Sequence, residues 1–236
     1  MFNSLKQFAL VYYALMVLFM LSVLFHLNWL HFSVKPMFMI LLMALHHRQL
    51  NGSFSFFSKM VQLGLFFSLI GDIALMFDEQ MPILFVVGLG AFLVAHLGYA
   101  LAFGKSIKDS ALGMSKGKVL ELALPFILFT GCFFLYIQGG LPADLYVPVL
   151  AYTGVISVMG LTAAIRHGHV DAKSYLWIVV GAVLFILSDC VIAINKFVID
   201  FEYDAILNMI LYLSGQLMIA FGAIFYAKRD EPGVSA

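Results

Sequence analysis

Two carboxylates stand where chains rarely keep them. Asp72 lies within S-L-I-G-D-I-A-L-M-F, residues 68–77, and Asp189 within F-I-L-S-D-C-V-I-A, residues 185–193. Each follows a small residue, Gly71 or Ser188, and each is flanked by apolar sequence. A carboxylate in membrane hydrocarbon costs about 3 kcal/mol or more unless it is paired or wetted. Two in such similar settings predict one site that uses both. In an enclosed pair, burial and mutual repulsion keep one acid protonated while the other is ionised. Such a pair suits chemistry through an oxocarbenium ion, the problem glycosidases solve with two acids. It also suits a proton relay.

The elements that position these acids must be membrane helices. The chain of 236 residues is 63% hydrophobic and 11% charged, with mean hydropathy +1.02. A soluble domain carries about 25% charged residues. The expectation is a single all-α integral membrane domain over 1–236, with no room for a separate soluble unit. A span needs about 20 apolar residues. Eight segments qualify, at 8–26, 32–46, 58–77, 82–103, 119–137, 145–165, 175–197 and 204–227, the second of them short. No small-x-small cleavage site ends the first run, so it reads as a retained helix. Cys132 and Cys190 both fall in spans and imply no disulfide framework.

Eight spans sort the charges. With both termini cytoplasmic, every lysine and arginine except Lys35 and Lys196 falls on the inner side. Asp78, Glu79, Asp144, Asp200, Glu202 and Asp204 fall outside. Seven spans would spoil this split. In a bacterium the membrane would be the inner, or cell, membrane. Pro36, Pro82 and Pro148 read as lying near the starts of spans, where the missing N–H does least harm, and Pro125 as lying deeper. Two pairs of segments read either as an internal repeat or as the chance likeness of apolar helices. L-I-G-D-I-A-L at 69–75 matches I-L-S-D-C-V-I at offset 117, and F-L-V-A-H-L at 92–97 matches Y-L-S-G-Q-L at offset 120. The third and seventh spans run the same way, so the repeat would be two parallel four-helix halves.

Polar residues fall on helical faces. Gly64, Ser68 and Asp72 share one face of the third span, where small residues admit a neighbour closely. Gly181, Phe185, Asp189, Ala193 and Lys196 form a similar face on the seventh, and Asn208, Tyr212 and Gln216 a polar stripe on the eighth. Counting ~1.5 Å per residue, both acids lie in the outer half of the membrane, with Tyr152 and Asn208 at comparable depth. Lys35 and Lys196 lie above them. Candidate catalytic residues are therefore Asp72 and Asp189. Candidate substrate-binding residues are Lys35, Tyr152, Asn195, Lys196, Asn208 and Tyr212, with His96, Tyr99 and Gln216 in support. His96 counts as deeper than the acids, and with Tyr99 at i+3 it reads either as a packed polar pair or as part of the chemistry. Each lysine reads equally as snorkelling at a helix end or as binding ligand. The acids themselves could instead fix helix packing through Lys35 or Asn208. His26 and His31 share the outer end with the acids, but neither has a partner at i+4, and no metal or other cofactor is expected.

Five short motifs, in order, carry a resemblance. They are Lys35-Pro36, G-D-I-A-L-M at 71–76, A-H-L-G-Y at 95–99, S-D-C-V-I-A at 188–193 and Y-L-S-G-Q at 212–216. Together they resemble the YhhN-type membrane family, whose characterised members are lysoplasmalogenases, from the second helix to the eighth. The resemblance implies cleavage of the vinyl ether bond of lysoplasmalogens to a fatty aldehyde and a glycerophospho head group. It implies Asp72 and Asp189 as the catalytic pair, and a lysophospholipid and the bilayer, not nucleic acid, as partners. The chemistry agrees with the residues. A vinyl ether resists bases and hydrolyses by protonation on carbon, which needs one protonated acid and one anion. Lys35 and Lys196 would hold the phosphate. The alternatives are a proton-coupled transporter, which often shows helices broken near mid-membrane and inverted repeats, or a lipid-binding protein without turnover.

Overall fold

The computed structural model describes residues 4–51, 55–108 and 115–230. Residues 109–114 and the side chains of Lys108 and Lys116, counted above among the inner charges, lie outside the described residues. Among the described residues eight helices form: α1 (Leu5–Leu24), α2 (Asn28–Gln49), α3 (Phe56–Leu75), α4 (Ile83–Lys108), α5 (Lys116–Ile137), α6 (Tyr146–Ile165), α7 (Ala172–Phe197) and α8 (Asp204–Asp230). A 3-10 turn at Gln138–Gly140 follows α5. Each of the eight is long and apolar enough to span a bilayer, and the protein is an all-α, multi-pass membrane protein.

Two expectations need correcting. The second helix is not short: it runs 22 residues, because Asn28 to His31 continue it beyond its apolar stretch. Pro36 therefore lies inside α2 rather than at its start, and the carbonyl four residues earlier, at Phe32, loses its helical donor.

The odd-numbered helices share one device. Ser4, Ser55, Ser115 and Asp171 cap α1, α3, α5 and α7, each side-chain oxygen accepting a backbone N–H of the first turn. All four caps lie at the end of the bundle opposite the aspartates.

Packing follows the small residues. A Cβ on Gly64 would lie 2.4 Å from the Tyr99 ring, and one on Gly98 3.0 Å from the Met60 carbonyl, so α3 and α4 close on each other there. Gly181 and Gly215 do the same for α7 and α8, where a Cβ on Gly181 would lie 2.8 Å from the Gly215 carbonyl. The pairings repeat between halves. α1 packs on α2, α2 on α3 and α3 on α4, as α5 packs on α6, α6 on α7 and α7 on α8; across the halves, α2 meets α8 and α6 meets α4. Some pairings are not repeated, among them α1 on α8: α5 makes no comparable contact with α4. Accordingly α8 is 72% buried along its span and α5 only 17%.

Candidate functional site

The polar stripes of α3 and α8 meet rung by rung. Tyr212 donates its hydroxyl to Asp72 Oδ2 at 2.8 Å. One turn along, Gln216 Nε2 donates to Ser68 Oγ at 2.9 Å, and Tyr99 of α4 donates to Gln216 Oε1 at 2.7 Å. The antiparallel helices match a step of four on one with a step of four on the other. At the bottom of the ladder Gly64 leaves room for the Tyr99 ring. All these side chains are buried, and their pairing keeps polar atoms from standing bare in a low-dielectric interior.

Asp189 has different company. Tyr152 of α6 donates to its Oδ2 at 2.8 Å, and His96 Nε2 of α4 lies 3.2 Å from the same oxygen. His96 Nδ1 donates to the Phe92 carbonyl at 2.5 Å. His96 thus does not pair with Tyr99, and it reaches the acids' level, contrary to the depth expected from residue counting. The reason is side-chain lean. In a helix each side chain tilts toward the N-terminus. α4 starts at the aspartate end and α7 finishes there, so His96 leans up toward Asp189 while Asp189 leans down toward His96.

Among the described residues, two spaces touch the acids and a third lies next to them. A polar vestibule of about 520 Å³ opens at the bundle end, lined by Lys35, Asn195, Lys196 and Asn208 among others. An apolar pocket of about 60 Å³ lies between α4, α5, α6 and α7, where α5 stands off from α4; Phe129 and Phe133 of α5, Ile156 and Ile186 line it, with Asp189 at its edge. Between them is a narrow gap lined by Lys35, Asp72, Ser188, Asp189, Asn208 and Tyr212. Leu75 and Ile192 border all three spaces.

The two lysines separate. Lys35 lines both vestibule and gap and is the cation whose field acts on Asp72; its ammonium makes no hydrogen bond or ion pair among the described residues. Lys196 pairs with Asp78 at 3.2 Å and lies over the Phe85 ring. Asn195 donates to Asp204 at 2.8 Å and accepts from the Phe201 N–H, so it ties the α7–α8 loop while lining the vestibule. Asn208 Oδ1 is buried with no hydrogen-bond partner and borders the gap. His26 and His31 line the vestibule wall; among the described residues no three His, Cys, Asp or Glu side chains are placed to hold a metal ion.

Three features of the site and bundle leave no distinct signal in the sequence. Phe92 packs edge-on against both Tyr212 and Phe185 and fills the space left by Gly71. Phe129 and Phe133 line the pocket, and nothing in a chain with 24 phenylalanines separates such rings from lipid-facing ones. Arg166, expected as an inner-loop charge, is fully buried far from the acids, bonded to Ser106 and Ser174 within a cage of Phe57, Phe103 and Tyr226.

Known proteins resemble this chain. It is 34% identical over 167 residues to a lysoplasmalogenase of Bos taurus, covering 69% of this chain and 64% of that protein. It is 32% identical over 168 residues to a lysoplasmalogenase of Homo sapiens, covering 71% and 65%. To a lysoplasmalogenase of Mycobacterium tuberculosis it is 30% identical over 152 residues, covering 64% and 55%. The match thus spans a little under two thirds of the length of the first two relatives. No solved structure matches the chain. The model of the YhhN family matches residues 30–223. Both aspartates and every residue lining the gap between them fall inside that match, and the chain belongs to the YhhN family.

Proposed function

We propose that this protein hydrolyses the vinyl ether bond of lysoplasmalogens, releasing a fatty aldehyde and a glycerophospho head group, with Asp72 and Asp189 as an acid–base pair. One observation carries the reading: both carboxylates line a gap that shares bordering residues with both a polar vestibule and an apolar pocket. A lysoplasmalogen has the same order of parts, a phosphate head, an ether junction and one alkenyl tail. Lys35, unpaired and beside the gap, takes the phosphate. The tail enters the pocket beside α5. The ether then lies between the acids, where one protonates carbon and the other stabilises the cation and activates water. The relatives' names support the same activity. The basic residues at the end away from the vestibule, Lys59, Lys173, Lys228 and Arg229 among them, support cytoplasmic termini.

The test is turnover of lysoplasmalogen by purified protein in heavy water. Because the acid exchanges with solvent between turnovers, the aldehyde should carry one deuterium on the carbon next to the carbonyl. A free aldehyde incubated alongside corrects for enolisation. No aldehyde, or aldehyde with no deuterium above that control, would end the proposal.

A further inference from the structure

The two acids occupy equivalent places in the repeat but not equivalent surroundings. Offset 117 carries Asp72 to Asp189 and Lys35 to Tyr152, and offset 120 carries Phe92 to Tyr212 and His96 to Gln216. Asp72 has a lysine and a tyrosine beside it. Asp189 has a tyrosine and a histidine.

The histidine decides where a proton must be. A carbonyl oxygen only accepts, so His96 Nδ1, 2.5 Å from the Phe92 carbonyl, carries the ring's hydrogen. In the neutral ring Nε2 is then a bare lone pair. It faces Asp189 Oδ2 at 3.2 Å, with the His96 side chain fully enclosed and that of Asp189 only 10% exposed. Nε2 has no other partner, and its approach to Oδ2 lies off the straight hydrogen-bond line; catalytic contacts often straighten only with substrate bound. Two lone pairs do not face one another in an enclosed, low-dielectric site without a proton between them. A neutral acid–imidazole pair there costs less than an imidazolium–carboxylate pair. The same carboxyl oxygen can give its hydrogen to Nε2 and still accept from Tyr152.

We propose that His96 holds Asp189 in its protonated form, which makes Asp189 the acid and leaves Asp72, beside Lys35 and the Tyr212 hydroxyl, as the ionised partner. His96 is a positioning residue, and the assignment rests on the function proposed above. The reaction then balances. The Asp189 O–H bond breaks, and the alkene pair forms a C–H bond at the carbon remote from the ether oxygen. The ether oxygen stabilises the cation on its neighbour. Water adds to that carbon and gives a proton to Asp72. Asp72 returns it to the glycerol oxygen as the carbon–oxygen bond breaks, and the hemiacetal hydroxyl proton restores Asp189.

Infrared spectroscopy of the substrate-free protein tests proton placement without turnover. A protonated-carboxyl band should be present in the native protein and in Asp72→Asn, and absent in Asp189→Asn. A band that survives Asp189→Asn and vanishes in Asp72→Asn overturns the assignment. His96→Gln, a residue the matching place on α8 already accommodates, tests the histidine. Its amide N–H favours the carboxylate, so activity should fall at the alkaline side about one pH unit or more earlier than in the native enzyme. The groups around the pair are Tyr152 on α6 and Cys190 on α7, with Asp72 on α3, Tyr212 on α8 and Lys35 on α2 across the gap; all are unchanged in this variant. Reduced activity with the alkaline limb unmoved would leave His96 a packing role and sink the proposal. If His96→Gln fails to insert, the infrared comparison decides alone. A native protein that releases no aldehyde defeats the proposed function instead, and the infrared result still stands.

Discussion

Tyr212 and Asp72 are 140 residues apart in sequence and 2.8 Å apart in space, hydroxyl to carboxylate, both buried. Tyr152 holds Asp189 over the same distance. The asparagine variants of either acid should therefore insert normally, because an amide fills the same space and still accepts from tyrosine. Turnover should drop at least ~100-fold in each, the scale of a lost general acid or base. Near-native rates in one of them would return that acid to a packing role. Tyr212→Phe and Tyr152→Phe remove a hydrogen bond to a charged or catalytic group, about 1.5–3 kcal/mol, so kcat should fall about tenfold or more in steady-state assays of each.

Lys35 and Lys196 should behave differently. Among the described residues the Lys35 ammonium at the gap has no hydrogen-bond or ion-pair partner, whereas Lys196 is held by Asp78. Lys35→Met should raise KM more than it lowers kcat, since phosphate binding is shared by ground and transition states. Lys196→Met should have the smaller effect. The reverse order in measured KM values would move the head group to the α7 side of the vestibule.

Tail length should be set beside α5. Ile156 lines the apolar pocket on α6, one turn beyond Tyr152 from the vestibule. Ile156→Phe shortens the space available. The ratio of kcat/KM for long over short alkenyl chains should fall about tenfold, the low end of what a methylene or two is worth in such a pocket. An unchanged ratio would show that the tail takes another path.

The α7–α8 seam should tolerate little. A side chain at Gly181 meets the Gly215 carbonyl and the backbone of Ile219. Gly181→Val should destabilise by about 1–3 kcal/mol through overpacking, read as a lower unfolding temperature in detergent. Gly154→Ala has open space around its new methyl and should be neutral or stabilising by up to ~1 kcal/mol, because helical glycine is entropically costly. Equal behaviour of the two variants would contradict the close helix approach.

Topology is tested by labelling. Single cysteines at Asp78 and Asp200 should react with an impermeant reagent in intact cells, and one at Lys108 should not. Labelling at position 108 alone would invert the bundle.

The sequence by itself determined the membrane class, the eight spans and the two acids. Their signals are local: a span is a run of about 20 apolar residues, and a charge inside it stands out without reference to anything else. It also determined the stripes Gly64–Ser68–Asp72 and Asn208–Tyr212–Gln216, because a helix turns a spacing of four into a face. Only the tertiary structure decided which stripe meets which. The ladder from Asp72 to Tyr99 depends on antiparallel register between helices that are far apart in the chain. Side-chain lean, invisible in a count of residues, brought His96 to Asp189. Lys35 and Lys196 looked alike in sequence; Asp78, on the loop before α4, separated them. The pocket lies where α5 does not close on α4 as α1 closes on α8. A loose contact leaves no trace in composition or periodicity, so the apolar pocket beside Asp189 could be read only from the folded chain.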